Sequence, residues 1–132
     1  MTVFVDTSAL LSILDRRDPH NTATMKRWTE LIDAEEPLLT TNYVTVEGIA
    51  VVQRRLGIAA VRDLIENLLP PIEIVWVDPP AHERAVAALL AAAQRNLSLV
   101  DCTSFEVMRL RGLRTAFTLD PDFSAQGFQR IP

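Results

Sequence analysis

Asp6, Glu47, Asp101 and Asp120 are the residues of this 132-residue chain whose types and positions best suit chemistry. Asp6 ends the first apolar run, Glu47 interrupts the apolar side of a helical stretch, Asp101 opens a later helix, and Asp120 follows a late strand. In a parallel α/β domain, strand ends and the helix starts that follow them converge on one edge of the sheet, where ligand crevices form. Two like charges about 4 Å apart cost about 4 kcal/mol at an effective dielectric near 20, so such a cluster must bind protons or a cation. A hard divalent metal held by carboxylate oxygens fits, and it points to phosphate chemistry.

Each acid also has an ordinary explanation. Asp6-Thr7-Ser8 could be a strand-to-helix turn in which Asp or Ser caps the following amides. Ser98 and Asp101 have capping-box spacing, and Asp120-Pro121-Asp122 is a common turn sequence. Glu47 is harder to explain away. Helical spacing places it with Val44, Gly48 and Val51, where a lone carboxylate pays a desolvation penalty; it needs a salt-bridged Arg, a metal or a charged ligand. Gly48 either packs closely or leaves space around that carboxylate.

Periodicity supplies the elements that must position these acids. Thr2 to Val5 reads as a strand and Ser8 to Leu14 as a helix; Pro19 opens a second helix to about Ala34, with Trp28, Leu31 and Ile32 on its apolar side. Leu38 to Thr41 is a strand, Asn42 caps a helix to Leu56 closed by Gly57, and Ile58 to Leu69 is helical. Ile72 to Val77 is the clearest strand signal, Pro79-Pro80 begins a helix ending near Asn96, and a last helix runs from about Ser98 to Gly112. Thr115 to Thr118 and Phe128 to Ile131 close the pattern as strands. Helices alternating with short apolar strands imply one α/β domain over residues 1–132, with a mainly parallel central sheet covered on both faces.

Composition sets wider bounds. A chain of 14.7 kDa can bury roughly two-thirds of its unfolded surface without staples. Cys102 is the only cysteine, so nothing suggests an oxidising compartment. The start has no basic n-region and the longest apolar stretch, Ala85 to Ala93, is too short for a bilayer, so a cytoplasmic protein with no membrane partner is expected. A formal net charge of -4 argues at first against a nucleic-acid binder. If four acids belong to a metal site, however, the remainder is formally neutral and the ion offsets what the site carries. All the basic residues but Lys26 are Arg, which suits bidentate phosphate contacts, although the abundance of Ala, Val, Leu and Arg also fits nucleotide composition at the source. His20 and His82, both near helix starts, are too few and too far apart for a zinc site or a general-base triad. Cys102 has no histidine placed to activate it and reads as a small buried residue. Trp28 and Trp76 read as core, with a partner groove of the early helices as the alternative for Trp28.

Four segments together carry a resemblance. Asp6-Thr7-Ser8-Ala9-Leu10 after a first strand, Glu47 in a mid-chain helix, Leu97-Ser98-Leu99-Val100-Asp101-Cys102-Thr103-Ser104-Phe105, and Thr118-Leu119-Asp120-Pro121-Asp122-Phe123 resemble a PIN-domain ribonuclease. The resemblance spans essentially the whole chain and is specifically to the VapC-like toxins of prokaryotic toxin-antitoxin pairs. It implies a PIN-like α/β/α fold and metal-binding or catalytic roles for Asp6, Glu47, Asp101 and Asp120, with Asp122, Thr7, Ser8 and Thr118 in support. It implies Mg2+ or Mn2+ as cofactor, water activated for in-line attack on a phosphodiester, and a structured RNA cut at few sites to leave a 5′-phosphate and a 3′-hydroxyl. It also implies a homodimer and a small VapB-like antitoxin that wraps the toxin and obstructs its site, operator DNA being reached only through that antitoxin. The alternative is a catalytically inactive PIN-like protein that binds metal or RNA. A haloacid-dehalogenase-type phosphotransferase expects Asp where this chain has Ser8, and a von Willebrand-type adhesion module expects Ser where it has Leu10, so both fail.

Overall fold

The computed structural model describes residues 1–132. Five strands form one all-parallel sheet: β1 (Val3–Val5), β2 (Leu38–Thr41), β3 (Ile72–Val75), β4 (Thr115–Phe117) and β5 (Gln129–Ile131), in the order β3-β2-β1-β4-β5. Val3 lies opposite Leu38 on one side and Thr115 on the other, so β1 is central, and all three of its residues are buried. A strand covered on both faces needs continuous apolar residues rather than alternation, which is what Val3, Phe4 and Val5 supply. The chain steps outward from β1 to β3 and then returns across β1 to β4 and β5. Its direction therefore reverses between β1 and β4, and a crevice opens beyond the carboxyl ends of parallel strands at such a reversal.

The connections are α1 (Thr7–Leu14), α2 (Asn21–Asp33), α3 (Asn42–Leu56), α4 (Ile58–Asp63), α5 (Pro79–Ala92), α6 (Leu99–Arg111) and α7 (Asp122–Ala125), with α4 running on into a π-wound turn, Leu64–Leu68. α5 packs on α6, and α1 on both α2 and α3. One cluster of 25 buried apolar residues fills the space between these helices and the sheet, with Phe4, Phe117, Phe123 and Leu10 among its largest members. No helix is long and apolar enough to cross a membrane.

Several boundaries differ from those the sequence suggests. Thr41, not Asn42, caps α3, its hydroxyl accepting from the Val44 amide; Asn42 Oδ1 accepts instead from the Val77 amide and ties the helix start to the loop after β3. β3 stops at Val75, and Trp76 is 76% exposed rather than core, because β3 is an edge strand with no neighbour beyond it. Trp28 is half-buried against the core and lines a shallow groove with Leu14 and Met25, while Ile32 faces outward and Leu31 inward. α2 starts at Asn21 rather than Pro19, and α5 ends at Ala92, where Ala93 takes a left-handed φ of 51°. The Asp-Pro-Asp turn proves to be the entrance to α7.

Candidate active site

Asp6 occupies the N-cap position of α1 in extended backbone, yet its side chain makes no capping bond. The carboxylate turns across the sheet edge instead. Its Oδ2 accepts from Ser8 Oγ at 2.9 Å and from Thr118 Oγ1 at 2.8 Å. Thr118 Oγ1 accepts in turn from the Asp120 amide at 3.0 Å, and Ser8 Oγ from the Leu119 amide at 2.9 Å. These bonds fasten the end of β1 to the segment leaving β4, on either side of the reversal. Asp6 and Thr118 are both buried. Burial raises the Asp6 carboxyl from 3.8 to about 6; the Thr118 and Ser8 hydroxyls oppose that rise, and the charge of Asp101 adds to it. Beside it, Thr7 Oγ1 is buried with no hydrogen-bond partner.

Asp101 is the third residue of α6 and closes a capping box: Ser98 Oγ accepts from the Asp101 amide, and Asp101 Oδ2 from the Ser98 amide, both at 3.1 Å. The capping explanation is therefore correct but incomplete. The box engages Oδ2 and restrains the rotamer, leaving Oδ1 without a protein hydrogen-bond partner. Burial pushes the Asp101 carboxyl above its ordinary value; the Ser98 bonds resist, and the charges of Asp120 and Glu47 push further.

A four-residue helix cannot hold itself, since nucleation alone is unfavourable. α7 is held by Phe123, which is fully buried and meets Phe105 edge-on at 4.9 Å and Phe4 at 6.3 Å. Phe105 lies one turn along α6 from Asp101, on the same face. The aromatic contact that fastens α7 to α6 thus brings Asp122 toward Asp101, while the Asp122 amide donates to Asp120 Oδ1 at 2.9 Å. One carboxylate oxygen from each of Asp101, Asp120 and Asp122 lies within 4.8 Å of the others. Asp122, read from sequence as a supporting residue, is a full member of this group. The signal for it was Phe123, an apolar residue where a plain turn would stay polar.

Glu47 is half-buried on α3 and lies outside that trio, but it is close enough to raise the Asp101 carboxyl. It has no salt bridge, which removes the buried Arg explanation; none of Asp6, Asp101, Asp120 and Asp122 has one either. A Cβ on the buried Gly48 would meet no atom within 4 Å, so that glycine leaves space rather than admitting a close neighbour. Burial pushes the Cys102 thiol up, and Asp101 adds to the effect, which suits a packed residue and not a nucleophile.

The description of the PIN domain matches residues 3–129. The chain belongs to the PIN-domain family. This PIN domain is 33% identical over 132 residues to the 23S rRNA-specific endonuclease VapC20 of Mycobacterium tuberculosis strain H37Rv, covering 98% of this chain and 97% of that protein. It superposes on the crystal structure of VapC20, a sarcin-ricin loop cleaving toxin, with a TM-score of 0.82 at 32% identity, covering 96% of this chain and 95% of that one. FitAcB from Neisseria gonorrhoeae shares the PIN fold, with a TM-score of 0.71 at 17% identity over 100% of this chain and 97% of that one. So does VapBC2 from Rickettsia felis, with a TM-score of 0.72 at 11% identity over 98% and 97%.

Proposed function

We propose that this PIN domain is a divalent-metal-dependent endoribonuclease that cuts a structured RNA, and that it serves as the toxin of a toxin-antitoxin pair. The observation that carries the reading is the convergence of Asp101, Asp120 and Asp122 within 4.8 Å, with no ion pair to any of the three. The identity to a 23S rRNA-specific endonuclease supports it.

The donor set is all carboxylate oxygen, the kind that hard cations take. Asp101, Asp120 and Asp122 would hold Mg2+ or Mn2+, with Asp6 and Glu47 at the rim. A bound ion there lowers the pKa of water and neutralises charge on phosphoryl oxygens. The chain's own groups do the positioning. Ser98 locks Asp101, Thr118 links Asp6 to the Asp120 amide, and Phe123 sets Asp122. α1, α3 and α5 begin near the carboxyl ends of β1, β2 and β3, so their amide ends face the acidic edge and moderate its repulsion of an RNA backbone.

The direct test incubates the chain with an RNA stem-loop of sarcin-ricin sequence in Mg2+ or Mn2+. Cutting inside the loop that leaves a 5′-phosphate and stops with chelator is expected; an intact stem-loop and intact ribosomal RNA in both ions would overturn the reading. Expression of the chain alone should arrest growth, and the neighbouring reading frame should restore it by supplying a short VapB-like antitoxin. An Arg or Lys of that antitoxin brought near Asp6 and Asp101 would replace the cation electrostatically. The same reading implies a cytoplasmic homodimer, which sedimentation would register.

A further inference from the structure

A cavity of about 430 Å³ opens between the starts of α3, α5 and α6, walled by Tyr43, Val46, Glu47, His82, Leu99 and Val100. It adjoins the acidic site directly, since Glu47 belongs to both and Val100 precedes Asp101. Tyr43 and His82, from different helices, meet edge-on with ring centroids 5.9 Å apart and an interplanar angle of 71°, and the Tyr43 hydroxyl is hydrogen-bonded to His82 Nδ1. Asn42, also on the wall, is anchored through Oδ1 to the Val77 amide. Both rings are thereby held in place, while His82 Nε2 and Asn42 Nδ2 remain without a protein partner. None of these residues takes part in holding the acids.

We propose that this cavity is a base-binding subsite that takes one unstacked nucleobase of the RNA, stacked on Tyr43, with His82 and Asn42 reading its edge; the proposal rests on the nuclease reading of the adjoining acids. The volume lies within the range of about 300–1,000 Å³ usual for small-ligand pockets. Proteins read RNA sequence through bases splayed out of the stack onto Tyr or His rings and hydrogen-bonded along their edges. Charge selects the base over the phosphate. Glu47 is the only acidic group on the wall; it repels a phosphate and leaves a neutral ring untouched.

The test uses sarcin-ricin stem-loops, each carrying one abasic nucleotide at a different loop position. Binding is read in Ca2+, which loads carboxylate sites, and cleavage in Mg2+. In the wild type, one abasic position should weaken binding by roughly 5- to 100-fold, the loss of a single stacked base. Tyr43→Ala should weaken the intact RNA by a similar factor and erase the penalty at that position alone, while Tyr43→Phe, which keeps the ring, retains it. His82→Gln leaves the stacking ring and should change which base is preferred there, so the proposal stays testable even if Tyr43→Ala fails to fold. Abasic penalties that stay the same in the Tyr43 and His82 variants would overturn the subsite, as would a change in sedimentation with no change in base dependence, which would give this face to a second copy of the chain. Position-specific binding coupled to Tyr43 without cleavage in Mg2+ or Mn2+ would sink the nuclease reading and keep the subsite. No RNA binding at all would remove the subsite.

Discussion

Replacing Asp6 by Asn isolates the electrostatic cost built into this site. The Asp6 carboxyl rises from 3.8 to about 6 on folding, chiefly through burial. At about 1.4 kcal/mol per tenfold change in the proton equilibrium, that rise costs the ionised, folded chain about 3 kcal/mol. The sign follows from linkage. Below 3.8 the group is protonated folded and unfolded, so the cost is absent; as pH climbs toward about 6 the unfolded chain ionises first and stability falls; above about 6 the full cost applies. Asn keeps the shape and an oxygen to accept from Ser8 and Thr118, but carries no charge. Without metal, Asp6→Asn should therefore be more stable than wild type by about 1–3 kcal/mol near pH 7.5, a melting-temperature gain of roughly 5–10 °C. The two proteins should converge as pH approaches about 4. Added Mg2+ or Mn2+ should reverse the order by stabilising the wild type, and RNA cleavage by the variant should be lost. Melts followed by circular dichroism in chelator across this pH range are the assay. A variant less stable than wild type at neutral pH, or a gap that does not change with pH, would refute the reasoning.

Other substitutions separate the remaining parts. Glu47→Gln, at a half-buried site with no ion pair, should change stability by less than about 0.5 kcal/mol while cutting RNA cleavage at least about tenfold; marked destabilisation would reveal a structural partner. Thr118→Val removes a donor to Asp6 Oδ2 and leaves the Asp120 amide without its acceptor, so it should cost about 1–3 kcal/mol, more at neutral pH than near pH 4 because Asp6 is then ionised; a loss that is the same at both would show that the Asp6 bond is not what Thr118 contributes. Phe123→Ala should cost about 3–5 kcal/mol, whereas Phe123→Leu should remain folded but weaken Mn2+ binding by calorimetry; unchanged binding would mean that the aromatic contact does not place Asp122.

The alternation of elements was legible because it rests on local physics. Apolar runs too short for helices, Pro and Gly at the breaks, and a Ser98–Asp101 pair at capping spacing each read the same way in sequence and in space. What failed locally failed for tertiary reasons. Trp76 has the composition of a core residue and is exposed only because β3 is a sheet edge, a property of strand order that no window of sequence contains. Thr41 and Asn42 are both good caps, and the choice between them is made by the Val77 amide, 35 residues away. Asp122 read as half of a turn because α7 owes its existence to Phe105 and Phe4, which lie on other elements.

The candidate site shows the same division at closer range. Ser98 caps a helix whether or not Asp101 has a second task, so local sequence could not separate the two; in the structure the cap engages Oδ2 alone. Asp6 and Thr118 are 112 residues apart, yet they meet because the sheet reverses direction between β1 and β4. Strand order thus decides which acids become neighbours, and the aromatic contact decides how closely they approach. A fold stabilised by one large apolar cluster can tolerate the resulting repulsion, which is why a buried carboxylate with no counter-cation persists at the centre of the sheet edge. That repulsion favours whatever brings positive charge to the site, so a divalent ion and an inhibitor's basic side chain would compete for the same place.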